Sequence, residues 1–198
     1  MNVVFDLGGV VLTWDPRAIV SSVFDDPAVR ALVLERVFGD PEWVELDRGT
    51  VSRGCAIERA AQRTGIDVTT VEQLFNAMLR SLVPVPDVLD LIEALRSAGN
   101  RLFVLSNFQR ASLAYVEATY EIFALFDGRV ISCEVGACKP EPAIYRHLLT
   151  AFALDPAVTV FIDDVQANLD AAAAHGIRTV RFTTVQACRA ALIALGCL

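Results

Sequence analysis

Residues 158–164 read VTVFIDD: a short run of β-branched and aromatic side chains that stops at two adjacent aspartates. A strand covered on one face alternates apolar with polar residues. A run without alternation, this short, is the pattern of a strand buried on both faces of a parallel sheet. The next segment, VQANLDAAAAHG (165–176), has helical length and ends at a glycine, and RTVRF (178–182) reads as strand again. Strand, helix, strand is one βαβ unit.

Working outward, the same kind of strand appears at residues 2–5, 101–105 and 129–132. Helix patterns lie between the later ones. PDVLDLIEALRSAGN (86–100) sets Val88, Leu91, Ile92 and Leu95 on one face; its expected start is a cap at Asp87 and its expected end Gly99. KPEPAIYRHLLTAF (139–152) is a second such helix. The expected fold is α/β: a doubly wound, Rossmann-like parallel sheet of about five strands. One stretch breaks the alternation. From Trp14 to Pro84 the pattern is helical throughout, with turn signals at GDPE, DRGT and TGID. It reads as an insert, giving a core of residues 1–14 and 85–198 and a helical cap of residues 15–84.

In an open parallel sheet the carboxyl ends of the strands share one rim. Asp6, Ser106 with Asn107, Lys139, and Asp163 with Asp164 each follow a different strand, so residues over a hundred positions apart converge there. Three carboxylates in one crevice repel each other unless a cation intervenes, and an oxygen-rich shell suits Mg2+. Taken alone, the aspartate pair fits a helix N-cap followed by a first-turn acid equally well.

Lys139, in VGACKPEP (135–142), is the only lysine; the other sixteen of the 17 basic residues are arginines. An ammonium is a compact point charge and a guanidinium a planar fork, so a crowded anionic site distinguishes them. At the expected start of a helix headed by Pro140 a cation is poorly placed unless an anion lies close. A net charge of −7 and a pI near 4.8 exclude the basic surfaces that bind nucleic acid or anionic membranes. The implied partner is a small molecule. Five scattered cysteines without CxxC spacing suggest reduced thiols filling the core. The opening run NVVFDLGGVVL has no basic region before it and is too short to span a bilayer, which points to a cytoplasmic protein; a homodimer is one assembly the sequence allows.

Together, FDLGGVV, VLSN, KPEPAIY and FIDDVQAN resemble the four motifs of the haloacid dehalogenase-like hydrolase superfamily, over essentially the whole chain. The wording is similar to that of small bacterial sugar-phosphate phosphatases and of the phosphatase domain of soluble epoxide hydrolases. The resemblance implies a phosphatase acting on a small phosphomonoester such as a sugar phosphate. Asp6 would be the nucleophile that forms an aspartyl-phosphate, Ser106 and Asn107 would bind the phosphoryl group, and Lys139 would offset charge. Magnesium would be held by Asp6, the Gly8 carbonyl and Asp164, with Asp163 helping.

The family's usual general acid stands two residues after the nucleophile, where this chain has Gly8. Asp15 is a substitute by position, but an N-cap before Pro16 is its better reading. Trp43, Asp47 and Arg48 could reach the site from the cap, although core packing suits a tryptophan and a turn suits DRG. Asn168 reads either as orienting the metal shell or as a solvated helix position, and His147 and His175 as structural. Two rivals remain. A haloacid dehalogenase also lacks the second aspartate but tends to carry uncharged residues where Asp163 and Asp164 stand, and a non-catalytic binding protein would not need Asp6, Ser106, Lys139 and the aspartate pair together.

Overall fold

A computed structural model describes residues 1–198. Strands β1 (Asn2–Phe5), β2 (Arg101–Ser106), β3 (Gly128–Ile131), β4 (Thr159–Asp163) and β5 (Arg178–Arg181) form one sheet in the order β3-β2-β1-β4-β5, with every pairing parallel. The chain starts in the middle, winds to one edge, then crosses back over β1 to build the other. The direction reverses beside β1, which opens a crevice above its carboxyl end.

The apolar runs divide between two cores with period two. Val3, Phe5, Leu102, Val104, Val160 and Ile162 enter one cluster. Val4, Phe103, Leu105 and Phe161, which alternate with them, enter a second on the opposite face. Neither face of the three central strands meets water, so these carry no polar alternation, whereas the edge strand β5 keeps an exposed Arg181. Of the flanking helices, α6 (Pro86–Ser97), α7 (Arg110–Thr119) and α11 (Val185–Ala194) cover the first face, α9 (Pro142–Ala151) and α10 (Gln166–Ala173) the second, and the single-turn α8 (Ser132–Val135) follows β3.

Between β1 and α6 the chain forms α1 (Pro16–Ser21), α2 (Pro27–Val33), which runs on into a π-helical turn (Leu34–Phe38), α3 (Glu42–Arg48), α4 (Arg53–Thr64) and α5 (Val68–Ser81). Their buried side chains form a third cluster, drawn only from residues 19 to 78. The expected turns at DRGT and TGID are helix ends, with Gly49 and Gly65 left-handed. Two strands of chain connect these helices to the sheet, and they are tied to each other: Leu12 bridges Pro84, and the Val85 N–H donates to the Val11 carbonyl.

Two helix starts differ from expectation for one reason. The cap of α6 is Val85 rather than Asp87, which lies in the first turn. Lys139 does not open α9: that helix begins at Pro142 with Glu141 extended before it, leaving Lys139 in the preceding loop. A proline is favoured at the first helical position and forces its predecessor out of the helical region, so each helix starts at its last proline.

Candidate active site

Asp6 follows β1 directly, and its N–H still donates to Ile162, so it continues the sheet to the rim. Its side chain is 10 % exposed. One oxygen, Oδ1, accepts from the Leu7 N–H at 2.7 Å, from Ser106 Oγ at 2.7 Å and from Lys139 Nζ at 2.8 Å. The other, Oδ2, accepts from no protein group. Three donors on one oxygen fix the carboxylate's rotation and leave its partner oxygen available.

Lys139 Nζ also reaches Asp163 Oδ2 at 2.7 Å and lies 5.3 Å from the centre of the Phe161 ring. Burial alone would lower the Lys139 pKa, but Asp6 and Asp163 outweigh it and hold the ammonium above its ordinary value. Burial acts on Asp6 as well, against the attraction of Lys139 and with repulsion from Asp163, and raises it from 3.8 to about 6.

The remaining expected residues divide by what already occupies them. Asp163 is wholly buried and saturated: Oδ1 accepts from the Val165 N–H and Asn168 Nδ2, and Oδ2 from Lys139 and Asn168. Asn168 is therefore not a solvated helix position; it is buried and steadies Asp163, while its carbonyl accepts from the Tyr145 hydroxyl. Asn107 clasps the Lys139 backbone, donating to its carbonyl at 2.9 Å and accepting from its N–H at 2.7 Å. That side chain differs from the expected phosphate ligand in being spent on placing the lysine.

Asp164 is half-buried, its pKa raised by burial and by Asp163. One carboxylate oxygen of each of Asp6, Asp163 and Asp164 falls within 4.8 Å of the other two. Three carboxylates against one ammonium leave an excess of negative charge that a divalent cation fits. The Gly8 carbonyl, in the turn after β1, accepts no backbone hydrogen bond. Gly9 was not anticipated. It has φ of +79°, and a Cβ there would come 2.7 Å from Asp164 Oδ2, so only glycine lets the first loop pass beneath that carboxylate. At Gly8, by contrast, a Cβ would meet only ordinary contacts with Trp14 at 3.7 Å, so sterics do not exclude an acid there.

Asp6, Gly8, Lys139 and Asp164 line a cavity of about 190 Å³, whose far walls come from Trp14 just before α1, from Trp43, Asp47, Met78 and Leu82 of the helical segment, and from Phe108 and Gln109. Asp15 is elsewhere: its carboxylate accepts from the Arg17 and Ala18 N–H groups as the cap of α1, on a separate cleft beside Arg80. His175 stacks on Tyr145, away from the cavity. Cys133, Cys138, Cys188 and Cys197 are buried free thiols, and Cys55 is exposed.

A model of the haloacid dehalogenase-like hydrolases matches residues 1–176, spanning all five strand ends except that of β5. The chain belongs to that family. Among relatives of this hydrolase, the sesquiterpene phosphatase astK of Aspergillus oryzae is 25% identical over 180 residues, covering 91% of this chain and 88% of that protein. Mouse bifunctional epoxide hydrolase 2 is 31% identical over 117 residues, 56% of this chain, which spans only 21% of that longer protein. Among solved structures, a family enzyme from Bacteroides thetaiotaomicron in complex with magnesium and inorganic phosphate superposes with a TM-score of 0.73. It is 23% identical and covers 92% of this chain and 93% of its own, a likeness of fold. No helix of the hydrolase is long and apolar enough to cross a membrane.

Proposed function

We propose that this hydrolase is a magnesium-dependent phosphatase of small phosphomonoesters that works through an aspartyl-phosphate on Asp6. The observation that carries this reading is the half-engaged carboxylate of Asp6, a cavity-lining residue whose Oδ1 is held by Ser106, Lys139 and the Leu7 N–H while Oδ2 is unpaired. Oδ2 attacks phosphorus, the ester P–O bond breaks, and water then cleaves the acyl-phosphate. Ser106 Oγ and Lys139 Nζ, already beside the attacking carboxylate, move their donors onto phosphoryl oxygens. Asp163, Asn168 and Asn107 act by position, holding Lys139 from its head and from its backbone.

Asp6, the Gly8 carbonyl and Asp164 are the groups free to hold magnesium, with Asp163 contributing charge. Bound there, the ion supplies Lewis-acid neutralisation of the carboxylates and of the phosphate oxygens, worth several kcal/mol in the transition state. We assign the helices of residues 15–84 as a cap that closes the cavity and selects substrate. Its aromatic and aliphatic walls suit a compact leaving group with an apolar face, such as the flat face of a sugar or a short hydrocarbon; a cytoplasmic metabolite fits both.

Removing divalent metal should lower phosphate release by about 10³-fold or more, with magnesium restoring it. Full-rate turnover by chelator-treated protein would refute the reading. Gly8 in place of an acid gives the dehalogenase alternative its one support, and metal-independent halide release from chloroacetate would establish it. A further outcome follows from Gly9. Gly9→Ala forces Asp164 aside and should raise the magnesium concentration needed for half-maximal activity by about 10–100-fold, with the fold intact by circular dichroism. An unchanged magnesium requirement would remove Asp164 from the metal shell.

A further inference from the structure

A departing alkoxide needs a proton, and neither Gly8 nor the distant Asp15 can give one. We infer that Asp47, on α3, is the catalytic acid that protonates the leaving group and the base that then activates water; this rests on the phosphatase reading above.

Asp47 follows Trp43 by four residues, so both project from one face of α3, and both line the cavity that holds Asp6 and Lys139. Unlike its neighbours, Asp47 is uncommitted. Glu42 pairs with Arg59 and Arg63, and Glu45 with Arg48, whereas no hydrogen bond or ion pair engages the Asp47 carboxyl group. Beside it on the wall, Gln109 is 4 % exposed and its Oε1 is a buried acceptor without a partner. Two unsatisfied polar side chains, one able to donate and one to accept, mark this end of the cavity as the seat of a hydroxyl-bearing leaving group.

The helix that carries Asp47 is fastened to the core on both sides of it. The Ser132 hydroxyl donates to the Asp47 carbonyl and accepts from the Phe108 N–H. Arg48 grips Glu141 with two hydrogen bonds of 2.6 and 3.0 Å, and Cys138 Sγ contacts the Val44 carbonyl. An acid on a cap is useful only if its distance to the phosphate is fixed, and these ties fix it. Burial, with repulsion from Asp6 and against attraction from Lys139, raises the Asp47 pKa from 3.8 to about 7, so the protonated and ionised forms are both populated near neutrality. The other titratable or charged groups around it are Asp164, which lines the same cavity, and Cys133 and Cys138, with Arg110 lying against Gly49.

The proton balance closes. Asp6 Oδ2 bonds to phosphorus as the P–OR bond breaks, and the Asp47 proton passes to the departing oxygen to give ROH. The Asp47 carboxylate next takes a proton from water as that water's oxygen bonds to phosphorus and the Asp6–phosphate bond breaks. Phosphate leaves and Asp47 is again protonated.

The test compares Asp47→Asn with wild type, both with magnesium, on benzyl phosphate and para-nitrophenyl phosphate. These have aromatic leaving groups of similar size and very different acidity. The kcat/KM on benzyl phosphate, which reports the steps up to release of the alcohol, should fall by about 10²–10⁴, while kcat/KM on the nitrophenyl ester, which leaves without a proton, should lose less than about 10-fold. The kcat falls on both, because the base for the shared second step is gone. Retained kcat/KM on the nitrophenyl ester also shows that the variant is folded. An alkaline decline of wild-type kcat/KM on benzyl phosphate should vanish in the variant. An equal loss of kcat/KM on both esters, or no loss on either, overturns the inference alone. A wild type inert toward both esters overturns the phosphatase reading and the inference with it.

Discussion

Asp6→Asn should lose essentially all phosphate release, by a factor on the order of 10⁶ as for other covalent nucleophiles, while melting no lower than the wild type. The first half follows from removing the attacking oxygen. The second follows from charge counting in the buried site. Lys139 faces two carboxylates within 2.8 Å, and an asparagine at position 6 leaves it in a one-to-one pair with Asp163. The asparagine oxygen can still accept from Ser106 and the Leu7 N–H.

The sign with pH is fixed by the Asp6 shift. A carboxyl whose folded-state pKa is raised from 3.8 to about 6 binds more protons folded than unfolded, so metal-free wild type loses stability as pH rises through that window. Asparagine does not titrate. The stability gap in favour of Asp6→Asn should open between pH 4 and 6 and reach at most about 3 kcal/mol above it, read by denaturant unfolding in the presence of chelator. A variant less stable than wild type at pH 7 would mean that the Asp6–Lys139 pair is net stabilising, and that the site carries no strain for magnesium to relieve.

The sheet was legible because its central strands are buried on both faces and therefore appear as uninterrupted apolar runs. Every expected strand lies within one residue of the observed one at either end. The convergence of Asp6, Ser106, Lys139 and Asp163 was legible for the same reason, since parallel strands that end together bring their following residues together. What failed was local. Asp87 and Pro140 each look like helix starts, but the proline at the first helical position decides, at Pro86 and again at Pro142. What could not be read was tertiary. DRGT does mark a helix end, so the turn reading of Asp47 was sound as far as it went; that its side chain faces Asp6 depends on Arg48 meeting Glu141 across 93 positions. The glycine pair after β1 shows the same limit. Gly8 and Gly9 are indistinguishable in sequence, yet only Gly9 lies under a carboxylate with φ of +79°.

Lys139→Arg should reduce turnover toward the upper end of the 10²–10³ range seen when one well-placed electrostatic contact is lost, although it preserves the charge. An arginine adds volume and a planar fork where the ammonium is already in contact on three sides, with Asp6 at 2.8 Å, Asp163 at 2.7 Å and the Phe161 ring at 5.3 Å. Those three groups stand on or directly after β1 and β4, the centre of the sheet, and cannot retreat. Nor can the lysine backbone, because Asn107 holds both its N–H and its carbonyl. The guanidinium must therefore push the Asp6 carboxylate off the Ser106 hydroxyl or leave the site, and overpacking of this kind typically costs 1–3 kcal/mol as well. Steady-state phosphate release with a parallel thermal melt checks both effects. A chain that uses arginine at its sixteen other basic positions has no general aversion to it, so near-normal kinetics for Lys139→Arg would show that the pocket tolerates the fork and that the lone lysine has no bearing on the chemistry.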